Sequence, residues 1–179
     1  MKKDVLPWIA AVGAIAFFLI SMFASERVEA AERFEVWREA RTVKNDTLLS
    51  DDAFLACTEI GEEYGISPEL IMAIAETESG GDPEAKNGGC EGLMQVSGRW
   101  HKDRMKRLDV QDIYDERGNI LVATDYLLEL FEEYEDVTRI LDEYNGNSAA
   151  ARNEERGIIS EYAETVLERA AELERAHGK

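Results

Sequence analysis

Basic residues, cysteines and alternating strand patterns are all scarce in this 179-residue chain. Twenty Lys and Arg face 38 Asp and Glu, for a formal net charge of -18. Residues 1–31 hold Lys2, Lys3 and Arg27 against Asp4, Glu26 and Glu29, so the acidic surplus belongs to the remainder. A surface so short of positive charge argues against nucleic-acid binding, which needs basic side chains to displace counterions. It argues equally against adsorption to anionic lipid, and it gives no steering toward an anionic polymer. His101, His177, Cys57 and Cys90 lack ligand-like spacing, and "DIYDERGNI" does not supply the alternating oxygens of a calcium loop. No metal and no cofactor is expected. The near absence of period-two alternation leaves a mainly helical chain.

One long apolar run is present. "VLPWIAAVGAIAFFLISMFA", residues 5–24, carries no charge and follows Lys2 and Lys3. A helix of that length is about 30 Å long, the thickness of a bilayer core. The lysines bias its short end to the cytoplasm and send the rest across. The sequence thus predicts a signal-anchor or signal segment over 1–25 and a single-pass membrane location, with the domain outside the cytoplasm, or secretion if the segment is cleaved. "VEA" before Ala31 loosely fits a cleavage site, but two acids intervene, and the long run favours a retained anchor. Residues 26–49 read as a charged juxtamembrane stalk, and 50–179 as the domain. Outside the cytoplasm disulfides persist. Cys57 and Cys90 are the only pair and would contribute about 3–4 kcal/mol if bonded. Two unpaired buried thiols are the alternative that spacing leaves open.

Helix signals then recur. Ser50 caps a helix through Glu63, with Asp51 and Asp52 in its first turn and Gly65 at its end. In "GISPELIMAIAETES", Ser67 is the expected cap, Pro68 takes the first turn and Glu69 favours the dipole. "SGGDPEAKNGGCEG" is a winding loop with room for a tiny hairpin, and "GRWHKDRMKR" is the main positive cluster. Further helices are expected over about 119–134, 136–144 and 158–176, the last through Ile159, Tyr162, Ala163, Val166, Ala170 and Leu173.

Within "AIAETESGG" two glutamates differ in placement. At 100° per residue Glu78 lies only about 20° from Ile71 and continues the apolar stripe of Ile71, Ile74 and Ala75. Glu76 is about 140° away and reads as a surface residue. A carboxyl on an apolar stripe, facing a glycine-rich loop, either swings to solvent or is held poorly solvated. In the second case it keeps its proton near neutrality and can act as a general acid at a glycosidic oxygen. Ser79 beside it is open to two readings, a substrate contact or a helix-end cap.

"AIAETESGGDPEA", "GLMQV" and "EYNGN" occur in the order of the motifs of the soluble Slt-type lytic transglycosylases, relatives of goose-type lysozyme, and the chain resembles that family's catalytic domain. "NILVATDYLLELF" matches the helix between the last two motifs, and "EYAETV" resembles the family's closing tyrosine-containing helix. The resemblance covers roughly residues 50–167. It implies a lysozyme-like single helical domain behind the N-terminal segment, acting on peptidoglycan glycan strands in a bacterial envelope, free or beside envelope-spanning machinery. Glu78 matches the catalytic acid/base. Ser79, Met94, Gln95, Tyr144 and Asn145 match residues that hold substrate or line the cleft, with Tyr144 expected to orient the Glu78 carboxyl. The implied reaction cleaves the N-acetylmuramic acid to N-acetylglucosamine β-1,4 bond and leaves a 1,6-anhydromuramic end. A hydrolysing muramidase and a non-catalytic scaffold of the same fold are the competing readings. The chain departs from the family pattern at Ser97, where a proline is common nearby, and at Gly81, where an aromatic is common. It departs again at Cys90, where a small residue is usual; that last departure makes a specific link to Cys57 plausible.

Overall fold

The computed structural model describes residues 46–179. These form seven helices and one minimal hairpin: α1 (Asp51–Tyr64), α2 (Pro68–Ser79), β1 (Lys86–Asn87), β2 (Cys90–Glu91), α3 (Lys102–Arg107), α4 (Glu116–Glu133), α5 (Val137–Tyr144), α6 (Ala150–Arg156) and α7 (Glu161–Ala176). The strands are antiparallel, with Lys86 opposite Glu91 and Asn87 opposite Cys90.

Local chemistry sets the helix ends. The Ser50 hydroxyl accepts from the Ala53 N–H at the start of α1, and Gly65 closes it in the left-handed region at φ 68°. Asp115, Asp136 and Ser160 cap α4, α5 and α7 in the same way. Ser67 does not: its hydroxyl donates to Glu69 Oε2 instead, at 3.0 Å. Pro68 in the first turn removes one orphan N–H, which lessens the need for a side-chain cap. The last two helices also differ from expectation. "AARNEER" forms the short α6, which has no apolar stripe to announce it and buries only Ala150. α7 begins at Glu161.

α2 is the centre of the fold. Every residue from Glu69 to Glu76 is buried, so this helix is enclosed all round and not merely on one stripe. α1 and α7 pack against it, and α4 packs on α1. Ile60, Ile71, Met72, Ile74, Leu93, Met94, Ile120, Leu127, Ile140, Leu141 and Leu173 are the large apolar side chains fully withdrawn from solvent, each stabilising by roughly 1.5–3 kcal/mol. Gly61 permits the tight α1–α2 approach, because a Cβ there would stand 2.7 Å from the Ile66 carbonyl oxygen. A centred, rigid α2 fixes the position of whatever its last turn carries.

The membrane helix expected over residues 5–24 falls outside the described residues. Among the described residues no helix is long and apolar enough to cross a membrane. The longest, α4, carries Glu116, Arg117, Asp125 and Glu129 along its length. The fold class is accordingly corrected to a mainly α-helical domain. The signal-anchor helix, the single-pass location and the membrane contact read from residues 5–24 find no support among the described residues.

Candidate active site

Glu78 lies in the last turn of α2, before Gly80 ends the helix at φ 66°. Its carboxyl is half-buried, and Oε1 accepts a 2.7 Å hydrogen bond from the Tyr162 hydroxyl at the start of α7. Burial pushes the Glu78 carboxyl above its ordinary value, and the Tyr162 bond opposes that only in part. Burial and the neighbouring carboxylate push the Tyr162 hydroxyl far up in turn, so it remains a donor.

The wall opposite is the loop that follows the hairpin. Glu91 and Val96 exchange backbone bonds of 3.0 Å each way, closing "EGLMQV" into a tight loop. Asn119, fully buried in α4, braces it with every polar atom of its amide. Oδ1 accepts from the Met94 N–H at 2.7 Å, and Nδ2 donates to the Glu91 and Ile113 carbonyls at 2.9 and 2.8 Å. Gly92 is obligatory here. It has φ 77°, and a Cβ would stand 2.4 Å from Asn119 Nδ2. Gln95 occupies the left-handed region at φ 47° and donates its Nε2 to the Ala85 and Gly92 carbonyls. Gln95 is one of the residues that line the cleft.

The cleft has a volume of about 210 Å³ and is lined by Glu78, Asn87, Cys90, Gln95, Val96, His101, Ala123, Tyr126, Tyr144 and Asn145. Three rings follow one another along one side, tilted by 53° and 31°, with centroids 4.8 Å apart for His101 and Tyr126 and 5.9 Å for Tyr126 and Tyr144. His101 accepts on Nδ1 from Arg104 Nε, which leaves Nε2 to carry the ring proton. Burial and then Arg104 lower the His101 pKa, keeping the ring neutral. Glu78 is the one carboxylate among the lining residues. Asp82 is exposed on the surface, and Glu91 is taken up by Lys86 and the Tyr114 hydroxyl at 2.7 and 2.9 Å.

The structure therefore brings Glu78, Gln95, Tyr144 and Asn145 together, but rearranges the expected contacts. Tyr144 does not bond Glu78; its hydroxyl donates to the Met94 carbonyl at 2.8 Å and props the loop. Tyr162 makes the bond to Glu78 in its place. Its position on the α7 stripe was legible, but a partner 84 residues away in sequence is not. The Met94 side chain is fully buried in the core. Ser79 donates to the Ala75 carbonyl at 3.0 Å and accepts from the Gly81 N–H, a helix-end arrangement off the cleft lining. Cys57 and Cys90 are separate thiols, so of the two alternatives left open by the sequence the structure has the unbonded one, without the possible disulfide. Cys57 is fully buried on the inner face of α1, whereas Cys90 in β2 faces the cleft.

Glu76 also departs from expectation. It is 9% exposed, its Oε1 accepts from the Thr47 hydroxyl at 2.6 Å and the Leu48 N–H at 2.9 Å, and its Oε2 pairs with Arg169 Nε at 2.6 Å. α7 and residues 46–48 cover the face of α2 that spacing alone assigned to water. The positive cluster is likewise partly spent, since Arg104 and Arg107 both pair with Asp125. Among the described residues no group of three or more His, Cys, Asp or Glu is arranged to hold a metal ion.

Comparison with known proteins fits this geometry. A protein called "Transglycosylase" from Enterobacteria phage PRD1 is 33% identical over 90 residues, covering 50% of this chain and 32% of that protein. The chain thus spans about a third of that relative's length. The family model described as Transglycosylase SLT domain matches residues 56–161, from the middle of α1 to the first residue of α7, one short of Tyr162. That match takes in the end of α2, the braced loop and the ring-lined wall, and by it the chain belongs to the SLT transglycosylase domain family, enzymes of the lytic transglycosylase type.

Proposed function

We propose that the domain cleaves the β-1,4 bond between N-acetylmuramic acid and N-acetylglucosamine in peptidoglycan, with Glu78 as the single acid and base. The observation that carries this reading is a half-buried carboxyl, raised in pKa and held by Tyr162, as the one carboxylate lining the cleft among the described residues. Protonated Glu78 gives its proton to the bridging oxygen as the bond to the muramic anomeric carbon breaks. The sugar's own 2-acetamido oxygen closes on that carbon and relieves its charge, a role that a second enzyme carboxylate fills in ordinary retaining hydrolases. Ionised Glu78, stabilised by the Tyr162 hydroxyl, then takes the proton from the C6 hydroxyl. The C6 oxygen attacks the anomeric carbon, displaces the acetamido oxygen and leaves a 1,6-anhydro end, with Glu78 protonated again. Gln95, Asn145 and the His101 Nε2–H are among the polar groups available to the acetamido and hydroxyl groups of the sugars.

Digestion of purified peptidoglycan tests this by product. The expected outcome is muropeptides with 1,6-anhydro ends from the wild type and a rate lower by about 10³-fold or more in Glu78→Gln, the range typical of lost acid–base catalysis. Reducing ends would identify a hydrolysing muramidase. Undiminished cleavage by Glu78→Gln, or none by either protein, would remove the assignment.

A further inference from the structure

Within their helical spans α2 and α7 are joined by two side-chain bridges, while just past the far end of α7 His177 and Lys179 hold Glu69 at the opposite end of α2. Glu78 to Tyr162, at 2.7 Å, is the first; Glu76 to Arg169, at 2.6 Å, is the second. Tyr162 and Arg169 are seven residues apart, two turns along one face of α7, which separates them by about 10 Å along the axis. Glu76 and Glu78 point about 160° apart around α2. The two bridges therefore straddle the α2 axis. A rotation of α2 that moved Glu78 away from Tyr162 would drive Glu76 against Arg169, and a slide of α7 would pull both bridges apart. We propose that the Glu76–Arg169 pair is a positioning clamp, which sets α7 against α2 so that the Tyr162 hydroxyl reaches Glu78. The inference rests on the role for Glu78 given above.

The clamp is closed by the chain segment before α1. Beyond its contact with Glu76 Oε2, Arg169 donates to the Asp46 carbonyl and pairs with Glu172 at 2.9 Å. Glu76 Oε1 meanwhile holds Thr47 and Leu48. Both carboxylate oxygens of Glu76 are thus committed, one to each side. The carboxylate is well suited to stay ionised: burial alone would raise its pKa, but the Arg169, Thr47 and Leu48 bonds outweigh burial and hold it below the usual value. A neutral amide in this place would keep the size and lose the charge that fixes the guanidinium, and a lysine at 169 would keep the charge and lose the fork. Neither Glu76 nor Arg169 lines the cleft, so their effect on the reaction passes through Tyr162 and Glu78.

The test uses the full chain with Glu76→Gln, Arg169→Lys, Tyr162→Phe and the double variant Glu76→Gln/Tyr162→Phe. A tyrosine donor favours the ionised form of its carboxyl, so loosening it raises the Glu78 pKa further. A raised pKa extends the protonated acid to higher pH and moves the alkaline limb of the rate profile upward. For both clamp variants we expect turnover on peptidoglycan lower by about tenfold to a hundredfold, the scale of a small misplacement, with KM unchanged and the alkaline limb shifted toward that of Tyr162→Phe. The double variant should be no slower than Tyr162→Phe alone. Carboxyl-carbon NMR titration of Glu78 should show the same upward displacement without any need for turnover. Thermal melting that falls in Glu76→Gln while the profile, the turnover and the Glu78 titration stay as in the wild type would overturn the clamp; so would losses that multiply in the double variant. Failure of the wild type to form anhydro ends would count against the catalytic assignment instead, with the NMR titration still deciding the clamp.

Discussion

At the scale of a residue, Glu78 couples activity to a stability cost. Burial raises its folded-state pKa above the ordinary carboxyl value of 4.5. A raised pKa means that the folded state binds the proton more tightly than the unfolded chain. The associated stabilisation is complete below the unfolded pKa and is lost as pH rises through the folded one. At neutral pH the protein must carry an ill-solvated carboxylate or hold its proton uphill. Glu78→Gln should therefore melt at a higher temperature than the wild type near pH 7, with the gap closing as pH falls below about 4.5; differential scanning calorimetry at the two pH values reads this directly. An equal gap at both pH values would mean that the side chain is well solvated. Glu78 was legible because seven residues separate it from Ile71 on a single helix. Glu76 was not: spacing shows which way a side chain points but not what stands there, and what stands there is Arg169, which is 93 residues away in sequence.

At the scale of an element, the loop after the hairpin depends on one amide. Asn119→Ala would leave the Met94 N–H and the Glu91 and Ile113 carbonyls without their buried partner. The Glu91 carbonyl keeps its bond from the Val96 N–H, but the other two groups are left unsatisfied at about 1–3 kcal/mol each, so we expect a loss of about 2 kcal/mol or more in urea unfolding, together with weaker substrate binding as Gln95 loses its fixed place. Asn119→Asp should do little better. It keeps an acceptor for Met94 but turns an anionic oxygen toward two carbonyl oxygens. The sequence marked "GLMQV" as a unit and located the helix that carries Asn119, but nothing local announces that a helix residue reaches across 25 positions to hold a loop. The misreading of Tyr144 has the same origin. Its partner is backbone, the Met94 carbonyl, and backbone groups leave no mark in a sequence. Helix limits fared better where a cap residue precedes an apolar stripe, as at Ser50, and worst at α6, which has neither.

At the scale of the whole molecule, the acidic surplus is stabilised at a few buried points and exposed elsewhere. Glu69 is 2% exposed, and its environment is set by the last residues of the chain. Burial alone would raise its carboxyl, but the Lys179 ammonium at 2.8 Å and the His177 ring at 2.8 Å outweigh that and bring it down to about 2. Glu76 and Asp125 are lowered likewise: burial is offset by Arg169 for the first and by Arg107 and Arg104 for the second. A depressed folded pKa contributes stability that is present above the unfolded value and is lost as pH falls through the folded one. The melting temperature should thus decline between about pH 4.5 and pH 2, and truncation after Ala176 should abolish the part of that decline that belongs to Glu69 while lowering stability at pH 7. A truncated chain with an unchanged acid profile would show that the C-terminal residues do not hold Glu69. Overall acidity was plain from composition, but which carboxylates are structural follows only from which helices meet.

The two thiols, unbonded and unequally covered, have a practical outcome. Cys57 is sealed in the core, and Cys90 alone opens toward the groove beside Glu78. A maleimide fluorophore applied to the native domain should attach at one place only. Its emission would then report glycan occupancy at the reacting end of the groove, with no engineered cysteine required.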